Sequence, residues 1–570
     1  MLIKDDLSIV ICAQAGQGIE SVAEFLMQAF KNNNYNVFSC KEYMSRVRGG
    51  CNSAQIRVAS SFVGAYSEKI DILIALSKEA IPHLHNRISQ DTIILYEENC
   101  FSDALNAFKQ VEVPFSKTAM EIGGKIYANT VSAGVILGMF GLDLASSQEL
   151  IQKQFSDKPQ KVIQDNINAI NKGFELGIQL ACDNKIEIKI EQDPDVASKI
   201  LISGNDAIAI GAIAGGCDFI SSYPMTPGTG VFTFLSQKQD DFSIISEQAE
   251  DEIASINMAL GAWYAGARAM VSTSGGGFAL MAEGISLAGM CEIPVVVHLA
   301  QRPGPATGLP TRTEQADLEF VIHSSHGEFP KIILAPGTPE DAFELSKTAF
   351  EFADKFQIPV FILSDQYFVD TSFISQIFNV ADHVVEQHVI ETKEDYERYR
   401  LTADGISPRG VPSYGKGLVC CDSDEHTEFG NITENLETRV KMVDKRLKKF
   451  DMINQEVIEP ELFGSKHYKT LVVGWGSTCG VLKEVIERLK SPDIAFLHFK
   501  QVFPVHPIIE DYMQQAQCSA IVENNATGQF ANLIKLKTGL DFDFKLLKYN
   551  GMPFSIEELL ARVSELGGSL

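Results

Sequence analysis

Residues 218–230 read DFISSYPMTPGTG, residues 269–277 read AMVSTSGGG, and residues 295–305 read VVVHLAQRPGP. Each stretch begins with a short apolar run, typical of a buried strand, and ends in a turn rich in Pro or Gly. Helical patterns separate the three runs, as in a parallel sheet whose strands are joined by crossover helices. In open sheets of this kind ligands bind at the carboxyl ends of the strands, so these turns are candidate binding loops.

The alternation of strands and helices recurs along the 570 residues and predicts three α/β units. In the first unit, three short apolar runs at 7–13, 70–77 and 92–98 predict a parallel sheet. The predicted organisation is an N-terminal unit at 1–183, a polar linker at 184–198, a middle unit at 199–375, an irregular, charged connecting segment at 376–467 and a C-terminal unit at 468–570.

Composition and charge exclude several classes of protein. With 45% apolar and 21% charged residues, the chain is not disordered, collagen-like or coiled-coil. A formal net charge of −26 argues against a nucleic-acid-binding surface, which needs clustered basic side chains. The sequence contains neither an apolar run long enough to span a membrane nor a secretory signal pattern, so we expect a cytoplasmic protein.

The eleven cysteines are scattered, and no C-x-x-C pair occurs. Iron–sulfur clusters and structural zinc sites need clustered thiolates. We therefore expect no metal site in this chain, and buried free thiols instead.

Two of the candidate loops carry side chains suited to a small acid. Prolines flank Thr226 and stiff turns of this kind can present a hydroxyl, although a purely structural turn has the same pattern. Arg302 and Arg312 lie in one Pro/Gly-rich loop together with Thr311 and Thr313. Two guanidinium groups in such a loop are suited to binding a carboxylate through paired hydrogen bonds.

Four acidic residues cluster at the start of a predicted helix. Glu247, Glu250 and Asp251 fit the ordinary role of carboxylates beside a helix N-terminus. Glu252 begins a run of small and apolar residues, so we expect it to face inward, where a protonated carboxyl can donate a hydrogen bond.

Near the N-terminus, the Gly16–Gly18 turn lies between a predicted strand and a predicted helix. It fits either a phosphate site or a tight turn without a ligand. The basic stretch Arg46–Gly50 fits either an anion contact or a solvated loop.

Several motifs resemble one enzyme family. The YPMTPGTG turn, the run from Ser246 to Met281 and QRPGPATGLPTRTEQADLEF at 301–320 are similar to the α subunit of 2-oxoacid:ferredoxin oxidoreductases. The N-terminal unit resembles the γ part of these enzymes, fused ahead of α. Further matching motifs are HGEFPKIILAPGTPEDAF at 326–343, SDQY at 364–367, VGWGST at 473–478, FPVHP at 503–507 and ENNATGQ at 523–529.

The resemblance implies thiamine diphosphate with Mg²⁺ as cofactor, coenzyme A as co-substrate and ferredoxin as electron acceptor. It also implies a pyrimidine-binding middle unit and a C-terminal unit similar to that of transketolase. The G-D-G motif that holds Mg²⁺ and the diphosphate is absent, as are cluster cysteines. We therefore expect a β subunit to carry the diphosphate site and the iron–sulfur cluster, in an (αβ)₂ complex.

Residue roles follow from the same resemblance. Glu252 would contact the aminopyrimidine, with Tyr223, Pro224 and Thr226 also against the cofactor. Thr226 and Arg302 would hold the 2-oxoacid, assisted by Thr311 or Arg312. These three residues, Glu252, Thr226 and Arg302, form the predicted catalytic set.

The favoured reaction is the conversion of 2-oxoglutarate to succinyl-CoA. Pyruvate, branched-chain and aryl 2-oxoacids remain open as substrates, and a non-catalytic assembly or regulatory subunit remains the alternative of another class. An incomplete cleft should expose apolar surface around Tyr223, Met225 and Phe278, which we expect the β subunit to cover.

Overall fold

The computed structural model describes residues 2–14, 18–45, 50–97, 108–380 and 384–568. The chain forms two compact units. The first extends to Ile202 and includes Thr371–Ile377 and Ser555–Leu559 from much later in the chain. The second comprises Ser203–Asp370, Phe378–Phe554 and the chain from Leu560 onward.

The elements up to residue 203 follow in chain order. They are β1 (Leu2–Lys4), β2 (Asp6–Gln14), α1 (Ile19–Asn32), β3 (Asn36–Glu42), β4 (Cys51–Ala59), β5 (Ile72–Ala75), α2 (Ala80–Leu84), β6 (Ile93–Tyr96), β7 (Lys109–Glu112), α3 (Phe115–Ile122), α4 (Ala128–Phe140), α5 (Leu144–Gln154), α6 (Gln160–Asp183), β8 (Glu187–Lys189) and β9 (Ile200–Ser203).

The remaining elements follow the same numbering. They are α7 (Gly204–Ala214), β10 (Phe219–Ser222), α8 (Thr229–Gln237), α9 (Gln239–Phe242), β11 (Ile245–Gln248), α10 (Glu252–Ala265), β12 (Ala269–Thr273), α11 (Gly275–Cys291), β13 (Val295–Gln301), α12 (Leu318–His323), β14 (Ile332–Leu334), α13 (Pro339–Phe356), β15 (Pro359–Asp365), α14 (Gln366–Asp370), β16 (Ser372–Ser375), α15 (Leu436–Ile453), β17 (Glu461–Gly464), β18 (Thr470–Trp475), α16 (Thr478–Leu489), β19 (Ile494–Phe499), β20 (Gln501–Phe503), α17 (Ile509–Gln515), β21 (Cys518–Glu523), α18 (Gln529–Thr538), β22 (Phe544–Leu547) and α19 (Ile556–Gly568).

The first unit contains an eight-stranded sheet in the order β7-β6-β5-β2-β4-β3-β16-β9. Strands β7, β6, β5 and β2 are parallel, but β4 is antiparallel to both β2 and β3. The three predicted strands, β2, β5 and β6, are parallel to one another as expected, whereas the sheet as a whole is mixed. Strand β4, which the sequence did not predict, carries buried polar side chains such as Gln55 and Arg57, so it lacks the apolar run that marks β2, β5 and β6.

The middle sheet has seven strands in the order β11-β10-β12-β13-β15-β14-β20. All are parallel except β20, which comes from the C-terminal part of the chain and pairs antiparallel with β14. The strands predicted at 269–273 and 295–300 lie where expected, as do the helices between them.

The third sheet has five strands in the order β17-β19-β18-β21-β22, with only β17 antiparallel to its neighbour. These three larger sheets, each flanked by helices, confirm the predicted α/β class with three α/β units.

Two segments predicted as irregular contain regular structure. Residues 184–198 include β8, which pairs with β1 in a two-stranded sheet. Residues 376–467 include α15, whose Lys445 and Lys449 are buried and form ion pairs with Glu292. The charged residues Lys445 and Lys449 of this segment are therefore partners in buried ion pairs rather than parts of a solvated loop. The proposed boundaries of the functional modules stay predictions.

Across the ranges given above, no helix combines the length and the hydropathy needed to cross a membrane.

Glycines set the packing of α4 against α6 in the first unit. Gly134 and Gly138 face Gly173 and Gly177 across the two helices. A Cβ on Gly134 would lie 2.5 Å from the Ile170 carbonyl oxygen and 2.9 Å from Gly173 Cα. The helices therefore approach closely enough for backbone to pack on backbone, and a larger residue there must push them apart.

Gly134→Ala should lower the free energy of unfolding of the first unit by about 1–3 kcal/mol, because the added methyl has no room. Gly261→Ala is the matched control, since Gly261 is also helical but a Cβ there meets nothing within 4 Å. Thermal unfolding followed by calorimetry checks both variants. An unchanged melting temperature for Gly134→Ala would contradict the close packing.

Candidate active site

The candidate site lies at the carboxyl edge of the middle sheet. Strands β10, β12 and β13 are neighbours, parallel and in register, with Ser221 opposite Val271 and Val271 opposite Val297. Parallel strands that end together release their following loops at one edge. The loops that carry Thr226, Gly275 and Arg302 therefore converge.

The structure brings Thr226 and Arg302 together. Arg302 Nη1 donates a hydrogen bond of 2.6 Å to the backbone carbonyl of Thr226. Within the described chain, the other guanidinium N–H groups and the Thr226 hydroxyl have no hydrogen-bond partner. Burial lowers the pKa of Arg302, and the Asp317 carboxyl acts in the opposite direction. A half-buried cation thus retains donors for a carboxylate.

Glu252 faces inward, as predicted. It begins α10, where the Asp251 side chain caps the helix by accepting a 2.7 Å hydrogen bond from Ala254 N. Glu252 is only 3% exposed, whereas Glu250 is exposed. Its Oε1 is buried and has no hydrogen-bond partner in the part of the chain that the structure describes. An unpartnered buried carboxyl oxygen is costly and indicates a place for a ligand.

The start of α11 approaches this carboxyl closely. A Cβ on Gly277 would lie 2.5 Å from Glu252 Oε1, so only glycine permits the contact. Ser274, the residue before the helix, makes no capping bond, and its buried Oγ has no partner among the described residues. Free backbone N–H groups at a helix N-terminus, a hydroxyl and a carboxyl can together hold a polar heterocycle.

Asp317 was missed by the sequence analysis. Its carboxyl lies over the Cα of Gly275, and Oδ2 is buried without a described partner. Burial raises the pKa of Asp317 to about 7, with Glu314 adding to the rise and Arg302 opposing it. The sequence signal was an acidic residue fifteen positions after Arg302 in the same loop, which also fits an ordinary helix start.

Other predicted residues are placed differently. Tyr223 is 40% exposed, and Pro224 is exposed beside it. Thr311 is half-buried, while Arg312 Nη1 approaches Met552 Sδ at 3.5 Å. No hydrogen bond among the described residues joins Thr311 or Arg312 to Thr226.

Phe278 does not belong to an exposed apolar surface. It is completely buried, with its ring 5.1 Å from that of Phe320 and 5.5 Å from that of Phe361. The prediction of a surface around Tyr223, Met225 and Phe278 is therefore wrong for Phe278. Its position on α11 turns it toward the sheet rather than toward solvent.

The loop between Arg302 and α12 is held by the C-terminal part of the same unit. Gln315 is fully buried; its backbone N–H donates to the Asn524 carbonyl at 2.7 Å, and its side-chain Nε2 donates to the Trp475 carbonyl at 2.9 Å. Asn524 N donates back to Gln315 Oε1 at 2.9 Å, and Asn525 Nδ2 donates to the Gln315 carbonyl at 3.0 Å. The motifs VGWGST and ENNATGQ thus position this loop.

In the first unit, Gly18 has a left-handed backbone (φ 73°) and lines a cavity of about 740 Å³ together with Ser116, Lys125 and Asn129. Gly16 and Gln17 of the predicted turn lie outside the described residues, as do Arg46 and Arg48 of the predicted anion contact.

In the described ranges no cluster of three or more His, Cys, Asp or Glu side chains could hold a metal ion. The cysteines described there are free.

Comparison with known proteins identifies the family. The family described as pyruvate flavodoxin/ferredoxin oxidoreductase, thiamine diphosphate-binding, matches residues 210–445, and that described as pyruvate ferredoxin/flavodoxin oxidoreductase matches residues 8–176. A 2-oxoacid:ferredoxin oxidoreductase subunit alpha from Sulfolobus sp. is 30% identical over 98% of this chain and 97% of its own length. The 2-oxoglutarate oxidoreductase subunit KorA of Mycobacterium tuberculosis is 31% identical over 76% of this chain and 68% of its own length.

A solved structure agrees in fold over the whole length. The 2-oxoglutarate:ferredoxin oxidoreductase from Magnetococcus marinus, with 2-oxoglutarate, coenzyme A and succinyl-CoA bound, matches with a TM-score of 0.91 and 29% identity. The match covers 98% of this chain and 99% of that chain. The chain therefore belongs to the α subunits of the 2-oxoacid:ferredoxin oxidoreductases.

Proposed function

We propose that this α subunit is catalytic and that its enzyme converts 2-oxoglutarate and coenzyme A to succinyl-CoA, with ferredoxin as electron acceptor. The observation that carries the proposal is the pairing of Arg302 with the Thr226 carbonyl, which leaves the other guanidinium donors available to a small acid. The relatives from M. marinus and M. tuberculosis carry 2-oxoglutarate in their names, which favours this substrate.

Substrate binding follows from the free donors. The unpaired N–H groups of Arg302 would hold the 1-carboxylate of the substrate, and the Thr226 hydroxyl would donate to its 2-oxo group. Thr311 assists from the same loop. Asp317, whose pKa lies near neutrality, would lie close to the bound carboxylate and would take up a proton when substrate binds.

The residues around the start of α11 fit thiamine diphosphate. Thiamine diphosphate, when bound, supplies a nucleophilic carbon and an electron sink for decarboxylation. Glu252 would hold a proton between its unpartnered Oε1 and a ring nitrogen of the aminopyrimidine, and Ser274 Oγ and the Gly275–Gly277 backbone would receive its polar edge. Tyr223 and Pro224 would cover the exposed side.

The rest of the cofactor site is assigned to a partner. We propose that a β subunit holds Mg²⁺, the diphosphate and the iron–sulfur cluster, in an (αβ)₂ complex. This is supported by the absence of a G-D-G motif and of clustered cysteines from the sequence.

A broader substrate range is the second candidate, because several relatives are named only as 2-oxoacid enzymes. Pyruvate, branched-chain and aryl 2-oxoacids belong to this alternative. A non-catalytic assembly or regulatory subunit is disfavoured, because such a chain has no need of an unpartnered, buried Glu252 beside the Arg302–Thr226 pair.

The decisive experiment is a substrate panel on the αβ complex with ferredoxin and coenzyme A. We expect kcat/KM to be highest for 2-oxoglutarate and lower for pyruvate and 2-oxoisovalerate. Equal values across the panel would favour the broader range, and absence of turnover with every acid would favour the non-catalytic subunit.

Glu252→Gln should reduce 2-oxoacid-dependent ferredoxin reduction by about two to four orders of magnitude, since a neutral amide cannot exchange the proton. Glu250→Gln is the matched control because it makes the same change on an exposed side chain two residues earlier. Both variants should assemble with β, as checked by size-exclusion chromatography. Normal turnover of the Glu252→Gln complex would refute the assignment.

Arg302→Lys should raise the KM for the 2-oxoacid roughly tenfold or more, because lysine keeps the charge but loses the planar pair of donors. Steady-state kinetics measure the effect, with Arg312→Lys as the comparison. A rise only in Arg312→Lys would transfer the carboxylate contact to Arg312.

A further inference from the structure

A buried chain of hydrogen bonds ends on the turn that carries Thr226. Ser272 Oγ lies 2.6 Å from the Gly228 carbonyl oxygen and 2.8 Å from His298 Nδ1, and His298 Nε2 lies 2.8 Å from Ser364 Oγ. These three side chains are 2%, 0% and 3% exposed, on the neighbouring strands β12, β13 and β15. The sequence analysis identified none of them as functional.

The donor and the acceptor of each bond in this hydrogen-bond chain follow from the number of protons that Ser272, His298 and Ser364 carry. A carbonyl can only accept, so the single Ser272 hydroxyl proton goes to Gly228. Ser272 Oγ must then accept from His298 Nδ1–H, which leaves His298 Nε2 to accept from Ser364 Oγ–H. Burial lowers the pKa of His298 to about 3, so the imidazole is neutral and has the one N–H that this chain requires.

The turn is thus held at two carbonyl groups. Arg302 donates to the Thr226 carbonyl, and Ser272 donates to the Gly228 carbonyl two residues later. Space is also limiting, because a Cβ on Gly228 would lie 2.6 Å from the Thr273 carbonyl oxygen. A shift of the turn would move the Thr226 carbonyl and, with it, the Arg302 guanidinium that would bind the substrate carboxylate.

We propose that His298 is a positioning residue that acts through Ser272 to hold the Thr226–Gly228 turn in the orientation that binds the 2-oxoacid. This inference rests on the proposed function of Thr226 and Arg302. The chain of bonds holds the turn in place before substrate arrives, so its loss should weaken substrate binding more than it slows the chemical step.

The first test is Ser272→Ala in the αβ complex. Loss of one buried hydrogen bond should raise the KM for 2-oxoglutarate about fivefold, with less than about a twofold change in kcat. Ser286→Ala is the matched control, because it removes a comparable bond of 2.9 Å to the His326 carbonyl. Ser286 lies on α11 and takes no part in the hydrogen bonds that link Ser364, His298 and Ser272. Equal KM values in the two variants would overturn the proposal.

The second test is a double-mutant cycle. His298→Leu alone should also raise KM, but it should add nothing in the Ser272→Ala background, because both substitutions act through the same carbonyl. Ser364→Ala replaces His298→Leu in the cycle if the leucine variant does not fold. Additive effects would show that His298 does not act through Ser272.

A third measurement does not depend on turnover. The ¹⁵N resonances of His298, assigned by their loss in His298→Leu, should show a proton on Nδ1 and no titration between about pH 5 and 8. A proton on Nε2 would refute the chain even if the complex is inactive. An inactive wild-type complex with the expected resonances would refute the proposed function alone.

Discussion

The site depends first on the buried amide of Gln315. This side chain, together with its backbone, exchanges four hydrogen bonds with Trp475, which ends β18, and with Asn524 and Asn525, which follow β21. The loop that begins at Arg302 has little regular structure, so its position comes from these bonds rather than from a helix or strand. Truncating the Gln315 side chain would leave the Trp475 carbonyl and the Asn524 N–H unpaired, at a cost of about 1–3 kcal/mol each.

Charge pairing in the interior explains how the polar segment after residue 376 is held. Asp354 pairs with Arg268 at 2.8 Å and with Arg409, and Glu292 pairs with Lys445 at 2.7 Å. Burial alone would raise the pKa of Glu292, but Lys445 and Lys449 outweigh that effect and keep the pKa well below its usual range. Arg409, Lys445 and Lys449 bring buried positive charges from this segment to these two carboxylates, so the pairs fix where the segment can pack.

Local patterns sufficed for some elements and failed for others for a physical reason. The strands at 269–273 and 295–301 each begin with three apolar residues, and Glu252 stood out because small, apolar residues follow it. Strand β4 was missed because Arg57 is buried by donating to the Ala65 carbonyl at 2.8 Å and to Asp6 at 2.6 Å. Ser272 and Asp317 contact residues far away in sequence, and the local signal for Asp317 also fits an ordinary helix start.

Strand β16 has a consequence for the synthesis of the chain. Phe373 pairs with Phe38, and Ile556 N donates to the Tyr66 carbonyl, so the first unit is completed by residues translated long after Ile202. Until β16 has been translated, the edge of β3 that it covers has no partner and is a template for pairing with other chains. The sheet of the first unit therefore stays open at β3 until Ser375 has been translated, which makes shorter or slowly translated forms prone to aggregation through this edge.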